Sequence, residues 1–160
     1  GAVDLLLQQS YARRDSVCVI AFRGSQVQTL LPATRSLVRA KKALAGLPGG
    51  GGTPIALALK HASEQALALQ RTGMTPLLVM LSDGKANVTL EGLGGRTQAQ
   101  EDAMKWAQQW ARLGFASLWI DTAVQPTGHA KDLAQAMQAR YMPMPHIASQ
   151  RVADAIAFIR

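Results

Sequence analysis

Residues 76–87 read PLLVMLSDGKAN, an apolar run that stops at a serine, an aspartate and a glycine. The run is too short for a helix and too uniformly apolar for a strand with one wet face, which predicts a buried strand of a parallel sheet over 76–82. Asp83 then stands where that strand leaves the sheet, at the carboxyl edge where open α/β sheets carry their sites. Upstream, residues 49–55 read GGGGTPI. The glycines open backbone conformations closed to other residues, and Pro54 suits the first turn of a helix, which puts the Thr53 hydroxyl at a helix start. A hydroxyl and a carboxylate meeting at one sheet edge predict two hard oxygen ligands, Thr53 and Asp83, for a divalent cation such as Mg²⁺, which retains waters and takes few protein ligands. Each residue also has a plainer use: Thr53 as a helix N-cap, and Asp83 in a turn with Gly84.

Outward from this pair, strands and helices alternate. SVCVIAF at 16–22 and QVQTLL at 26–31 predict a hairpin, the first strand buried and the second alternating as an edge strand does. Helices are predicted over 2–11, over 35–46 as a basic amphipathic segment, and over 54–70, an amphipathic helix carrying Ile55, Leu57, Leu59, Ala62, Ala66 and Leu69. The polar stretch 83–98, DGKANVTLEGLGGRTQ, has no periodicity and reads as a functional or mobile loop. A helix over 98–113 follows, stopped by Gly114. Next come the strand FASLWID ending in Asp121, a helix at 129–140, a short strand at YMPMP and a closing helix at 148–159. This alternation predicts a mostly parallel sheet covered on both faces. Trp106, Trp110 and Trp119 read as core aromatics. Asp121 lies at the same edge as Asp83, placed to hold loops or to reach a metal through water.

The 160 residues, 48% of them apolar, suffice for a core within one domain. The net charge of +7 arises from 17 basic against 10 acidic side chains and predicts an acidic partner. The bases are spread along the chain without interleaved aromatics, which argues against nucleic acid. The single cysteine, Cys18, lies in an apolar run, so neither a disulfide framework nor a CxxC metal site is available and a reducing compartment is expected. No apolar run approaches the roughly 18 residues of a membrane span, and the N-terminus lacks a basic signal-peptide start. A soluble, cytoplasmic domain is therefore expected. His61, His129 and His146 show no metal-ligand spacing, no Ser, His and Asp set suggests a nucleophilic triad, and no GxxxxGK[ST] is present to bind ATP. The glycine run follows a helix instead of an early strand, unlike the GxGxxG of dinucleotide-binding enzymes.

GGGGTPI, LSDGKAN and IDTA, in that order and spacing, together with SVCVIAFRG and LPATRSL, resemble the von Willebrand factor A (integrin I) domain family in the form carried by magnesium-chelatase D subunits. The resemblance implies an α/β fold: a three-layer α/β/α, Rossmann-like domain over 1–160 with a mostly parallel sheet and one antiparallel edge strand. It also implies an adhesion-type metal site built from a DxSxS motif, a threonine and an aspartate, the last two matched by Thr53 and Asp83. DxSxS is absent here, so the family's first central strand is expected to be missing, with the domain truncated at its N-terminus and an open slot between 16–22 and 76–82. The implied role is a metal-dependent interaction domain, itself non-catalytic, in a ligase that inserts Mg²⁺ into protoporphyrin IX for chlorophyll or bacteriochlorophyll synthesis. The implied partners are an AAA+ ATPase subunit (I), which binds the ATP, and a porphyrin-binding subunit (H), in a hexameric ring assembly of the cytoplasm or plastid stroma. Arg23, Lys85 and Arg96, expected on loops of the site face, are candidates for attracting an acidic partner. The alternative is a von Willebrand A domain serving a different AAA+ ATPase in metal-cofactor maturation or protein remodelling.

Overall fold

The computed structural model describes residues 17–23, 26–36, 38–39, 42, 54–91, 94–123 and 125–143. The predicted helices at 2–11 and 148–159 lie outside the described residues, as does Thr53. The first strands are β1, Val17–Arg23, and β2, Gln26–Thr34. They form the expected antiparallel hairpin, with irregular register between Val17 and Ile20. β2 runs three residues beyond the predicted end, through Leu31 and Pro32 to Thr34. The Ser36 hydroxyl then accepts the Arg39 N–H at 3.2 Å, the N-cap geometry that starts a helix, and Val38, Arg39 and Lys42 are helical.

Helix α1, Ile55–Arg71, buries Ile55, Ala58, Leu59, Ala62 and Ala66, a stripe with the 3–4 spacing read from the sequence. It ends at Thr72, whose hydroxyl donates to the Leu69 carbonyl at 2.7 Å, and Gly73 turns the chain at φ 87°. Helix α2, Arg96–Leu113, buries Ala99, Ala103, Ala107 and Trp110. Alanine on both helices leaves little between them, so α1 and α2 pack directly, and α2 packs in turn on α3, His129–Met137. α2 begins two residues earlier than predicted. It stops as expected, at a left-handed Gly114 whose N–H bonds to the Ala111 carbonyl.

Strands β3 (Leu77–Leu81), β4 (Ala116–Asp121) and β5 (Arg140–Pro143) form a parallel sheet in that order. Parallel neighbours need a crossover, and α2 and α3 supply the two crossovers here. The three helices share one core with Met80 of β3 and Trp119 of β4. Trp110 and Trp119 are fully buried and satisfied, the first donating to the Ser117 hydroxyl at 3.3 Å and the second to the Ser82 carbonyl at 2.9 Å. Trp106 is only partly buried against the same core. Leu118, Ile120 and Met142 lie outside that cluster and are buried as well, as a sheet covered on both faces requires.

The end of α3 and the start of β5 also differ from the sequence reading. α3 ends at Met137, not 140, because Gln138 takes a left-handed conformation (φ 60°) and the Ala139 N–H turns back to the Ala134 carbonyl at 2.8 Å. That early stop lets β5 start at Arg140 beside Leu118. Among the described residues, the ladders fall into two sets, β1–β2 and β3–β4–β5, and none joins β1 to β3. β3 accordingly differs from β4: Leu77, Leu78 and Val79 are half-buried and Leu81 is 39% exposed, whereas β4 is buried from Ser117 onward.

Candidate functional site

The carboxyl ends of β3 and β4 lie side by side, with Leu81 opposite Ile120, and each chain turns there on a local hydrogen bond. The Ser82 hydroxyl accepts the Gly84 N–H at 3.1 Å, and Asp83 Oδ1 accepts the Lys85 N–H at 2.9 Å. These are short polar side chains replacing backbone partners in a tight turn. The plainer use expected for Asp83 therefore holds, yet it engages one carboxylate oxygen only. Among the described residues Oδ2 accepts no hydrogen bond, and Asp83 is half-buried. Ser82 is fixed by three further bonds: its N–H to the Ile120 carbonyl at 3.2 Å, and its carbonyl to the Thr122 N–H and the Trp119 indole.

Gly84 is where this loop touches the start of α3. Its φ is 80°, and a Cβ there would fall against the backbone of Ala130 and His129. No other residue type satisfies both the conformation and the contact. Beyond it the described residues of the stretch read as a functional or mobile loop, 83–91 and 94–95, are anchored to the fold. Ala86, Val88 and Thr89 are buried, Val88 bridges to Gly94, and Asp102 of α2 takes the Leu90 N–H at 2.8 Å while its other oxygen accepts from Gln98. Gln100 donates to the Gly84 carbonyl at 3.2 Å. The apolar residues scattered among the glycines, Ala86 and Val88, are what pin the loop, and they are too few to register as a period.

A cleft of about 500 Å³ opens between this loop and the starts of α2 and α3. Asp83, Lys85 and Arg96 line it together with Gln100 and His129. Two of the three bases expected at this face, Lys85 and Arg96, are thus brought together with Asp83. Lys85 is on the loop as expected, whereas Arg96 is the first residue of a helix and Arg23 the last of a strand. The side chain of Arg23 lies outside what is described, so its place relative to the cleft is not part of this site. Gln100 and Thr127, which also line the cleft, belong to no motif in the sequence, and His129 shows no metal-ligand spacing. Their signal is positional: a β4–α3 connection must emerge at the same edge as the β3–α2 connection in a parallel sheet, which brings Thr127 and His129 to the side of Asp83 and Lys85.

Asp121 is not part of the cleft lining. It is 1% exposed, and both oxygens are engaged, Oδ1 by the Ala123 N–H at 3.0 Å and Oδ2 by the Tyr141 hydroxyl at 2.6 Å. It holds the β4 turn to β5, each of its oxygens accepting one hydrogen bond. The Tyr141 hydroxyl is pushed up to about 12 by burial, by its bond to Asp121 and by that carboxylate's charge.

For a hard dication, the cleft lining offers one carboxylate, that of Asp83. No group of three or more His, Cys, Asp or Glu side chains converges among the described residues. Mg²⁺ commonly sits on one or two carboxylates with water filling the remaining positions, so the donor fits as one member of such a shell.

The von Willebrand factor type A domain family profile matches residues 1–85. The chain is 45% identical over 156 residues to the magnesium-chelatase 60 kDa subunit of Cereibacter sphaeroides, spanning 98% of this chain and 28% of that one. It is 37% identical over 165 residues to the magnesium-chelatase 67 kDa subunit of Chlorobaculum tepidum, spanning 97% of this chain and 27% of that subunit. An uncharacterized protein of Methanocaldococcus jannaschii is 26% identical over 159 residues, which make up 88% of its length. Among solved structures, the SpRpn10 VWA domain superposes with a TM-score of 0.68 over 96% of this chain and 79% of that one, at 11% identity, a likeness of fold alone. The chain spans little more than a quarter of the chelatase subunits it matches.

Proposed function

Since the chain belongs to the von Willebrand factor type A domain family, we propose that it is the partner-docking domain of a magnesium-chelatase D-type subunit, with no chemistry of its own. The support is the similarity to two such subunits across nearly the whole chain. In this reading the assembled enzyme inserts Mg²⁺ into protoporphyrin IX at the expense of ATP, which an AAA+ subunit binds, while a larger subunit holds the porphyrin.

The observation that carries the docking role is Asp83: a carboxylate at the β3 terminus, oriented by the Lys85 amide and the Ser82 turn, with one oxygen unengaged. Asp83, with Thr53, would hold a divalent cation. A bound Mg²⁺ with a water-filled position supplies a seat for a carboxylate from a partner. The chain's own residues do the rest. The Asx turn fixes the Asp83 rotamer, Trp119 and Thr122 immobilise the Ser82 carbonyl beneath it, and Lys85, Arg96 and Arg23 raise the encounter rate with an acidic surface. Exposed bases of this kind contribute little to the final affinity individually.

Asp83→Asn tests the proposal cleanly, because an amide oxygen still accepts the Lys85 N–H while the charge is gone. In the full-length subunit mixed with its partner subunits, the variant is expected to unfold at the wild-type temperature and to lose Mg²⁺ insertion. Wild-type insertion by Asp83→Asn would sink the role assigned to Asp83. The Methanocaldococcus relative, nearly all of which is this domain, favours a second reading in which the same face serves another assembly. Reconstitution decides between them: full activity of a chelatase whose D-type subunit lacks this domain would favour the second.

A further inference from the structure

Three basic side chains reach the cleft from three elements: Lys85 from the loop after β3, Arg96 from the first residue of α2, and His129 from the first residue of α3. Asp83 is the one acid in the lining, and the Lys85 amide already occupies one of its oxygens. Among the described residues Lys85, Arg96 and His129 have no ion-pair partner. The wall is therefore left with an excess of positive charge that nothing described neutralises. Neither helix start carries a side-chain cap; α2 has no acid in its first turn, so its field adds to the same sign, whereas α3 carries Asp132 in its first turn.

We propose that this cleft seats an acidic stretch of partner polypeptide, whose carboxylates are taken directly by Arg96 and Lys85, independently of any cation at Asp83. Arg96 offers a planar fork that pairs with a carboxylate through two bonds, and Lys85 a point charge on a flexible stem. Gln100 is held by the Gly84 carbonyl at the cleft wall, with Ala86 buried behind the loop. The volume of about 500 Å³ accommodates several side chains, whereas a single small anion would leave most of it to water. The inference rests on the docking role proposed above and separates from its metal-dependent part.

The probe is a fluorescein-labelled hexaglutamate peptide titrated into the full-length subunit, followed by anisotropy with EDTA and again with Mg²⁺. Lys85→Glu combined with Arg96→Glu is compared with Arg71→Glu combined with Arg112→Glu, an equal charge change at exposed positions near the opposite ends of α1 and α2. The cleft pair is expected to weaken binding by about tenfold or more and the distal pair by less than about twofold, with EDTA as with Mg²⁺. Hydrogen exchange of the wild-type subunit with the peptide should show protection over 84–100 and 126–132, a result that does not depend on any variant folding. Equal losses from both pairs, absence of that protection, or displacement of the peptide by inorganic phosphate at matched ionic strength would each overturn the proposal. Binding that needs Mg²⁺ and is lost in Asp83→Asn, but not in the cleft pair, would also overturn it while leaving the cation-mediated role standing.

Discussion

Gly84 has the least freedom of any residue at the site. Its left-handed backbone costs a side chain about 1–2 kcal/mol, and overpacking against the start of α3 typically adds about 1–3 kcal/mol. Gly84→Ala is expected to lower stability by an amount in that range, measurable by urea unfolding, and an unchanged midpoint would mean that loop and helix separate freely. Tyr141 and Asp121 make a second, pH-dependent point. The Tyr141 hydroxyl titrates near 12 in the folded chain against an ordinary 10.0, so its contribution is fully present below pH 10 and is lost as pH rises from 10 to about 12. Thermal unfolding across that window should show a falling midpoint in the wild type and a flatter one in Tyr141→Phe. At neutral pH the phenylalanine variant should already be less stable by about 1–3 kcal/mol, because a buried carboxylate loses a donor. Asp83 was legible in the sequence at this scale because a strand terminus is a local feature. Tyr141 was not, since nothing near it in the chain marks its partner twenty residues away.

Among the elements, the strands and helices follow their periodicity, and their ends follow turn chemistry. The stripe of α1 and the stop at Gly114 are both local consequences of side-chain spacing and glycine. The described loop residues 83–91 are the exception, because their anchoring comes from α2. Asp102 accepts from the Leu90 amide and from Gln98, spanning loop and helix. Asp102→Ala is expected to speed amide exchange at Leu90 by a factor corresponding to about 1–2 kcal/mol of lost local stability, with exchange in α1 unchanged. Exchange that rises equally in α1 would mean that the substitution unfolds the domain as a whole.

For the molecule as a whole, the division of the described ladders into two sets leaves one edge of β1 and one edge of β3 without a described partner. An apolar strand such as LLVML with an open edge is a template for pairing with another strand. If the slot is filled in the full-length subunit, amides of Leu77–Leu81 should exchange more slowly there than in the 160-residue chain, and Mg²⁺ should raise the unfolding midpoint of the longer protein. Equal exchange in both would show that β3 needs no further neighbour.

The sequence by itself determined the alternation of strands and helices, the position of Asp83 at a strand terminus, and the motifs that carry the family, because each depends on residues close together in the chain. Tertiary structure alone decided that His129 and Gln100 join Asp83 in one cleft, that Asp121 is bonded to Tyr141, and that Gly84 must be glycine. These are encounters between segments brought together by parallel crossovers. Side chains that meet across such a distance share no period and no spacing, and only the packing of α2 and α3 on the sheet fixes which of them meet.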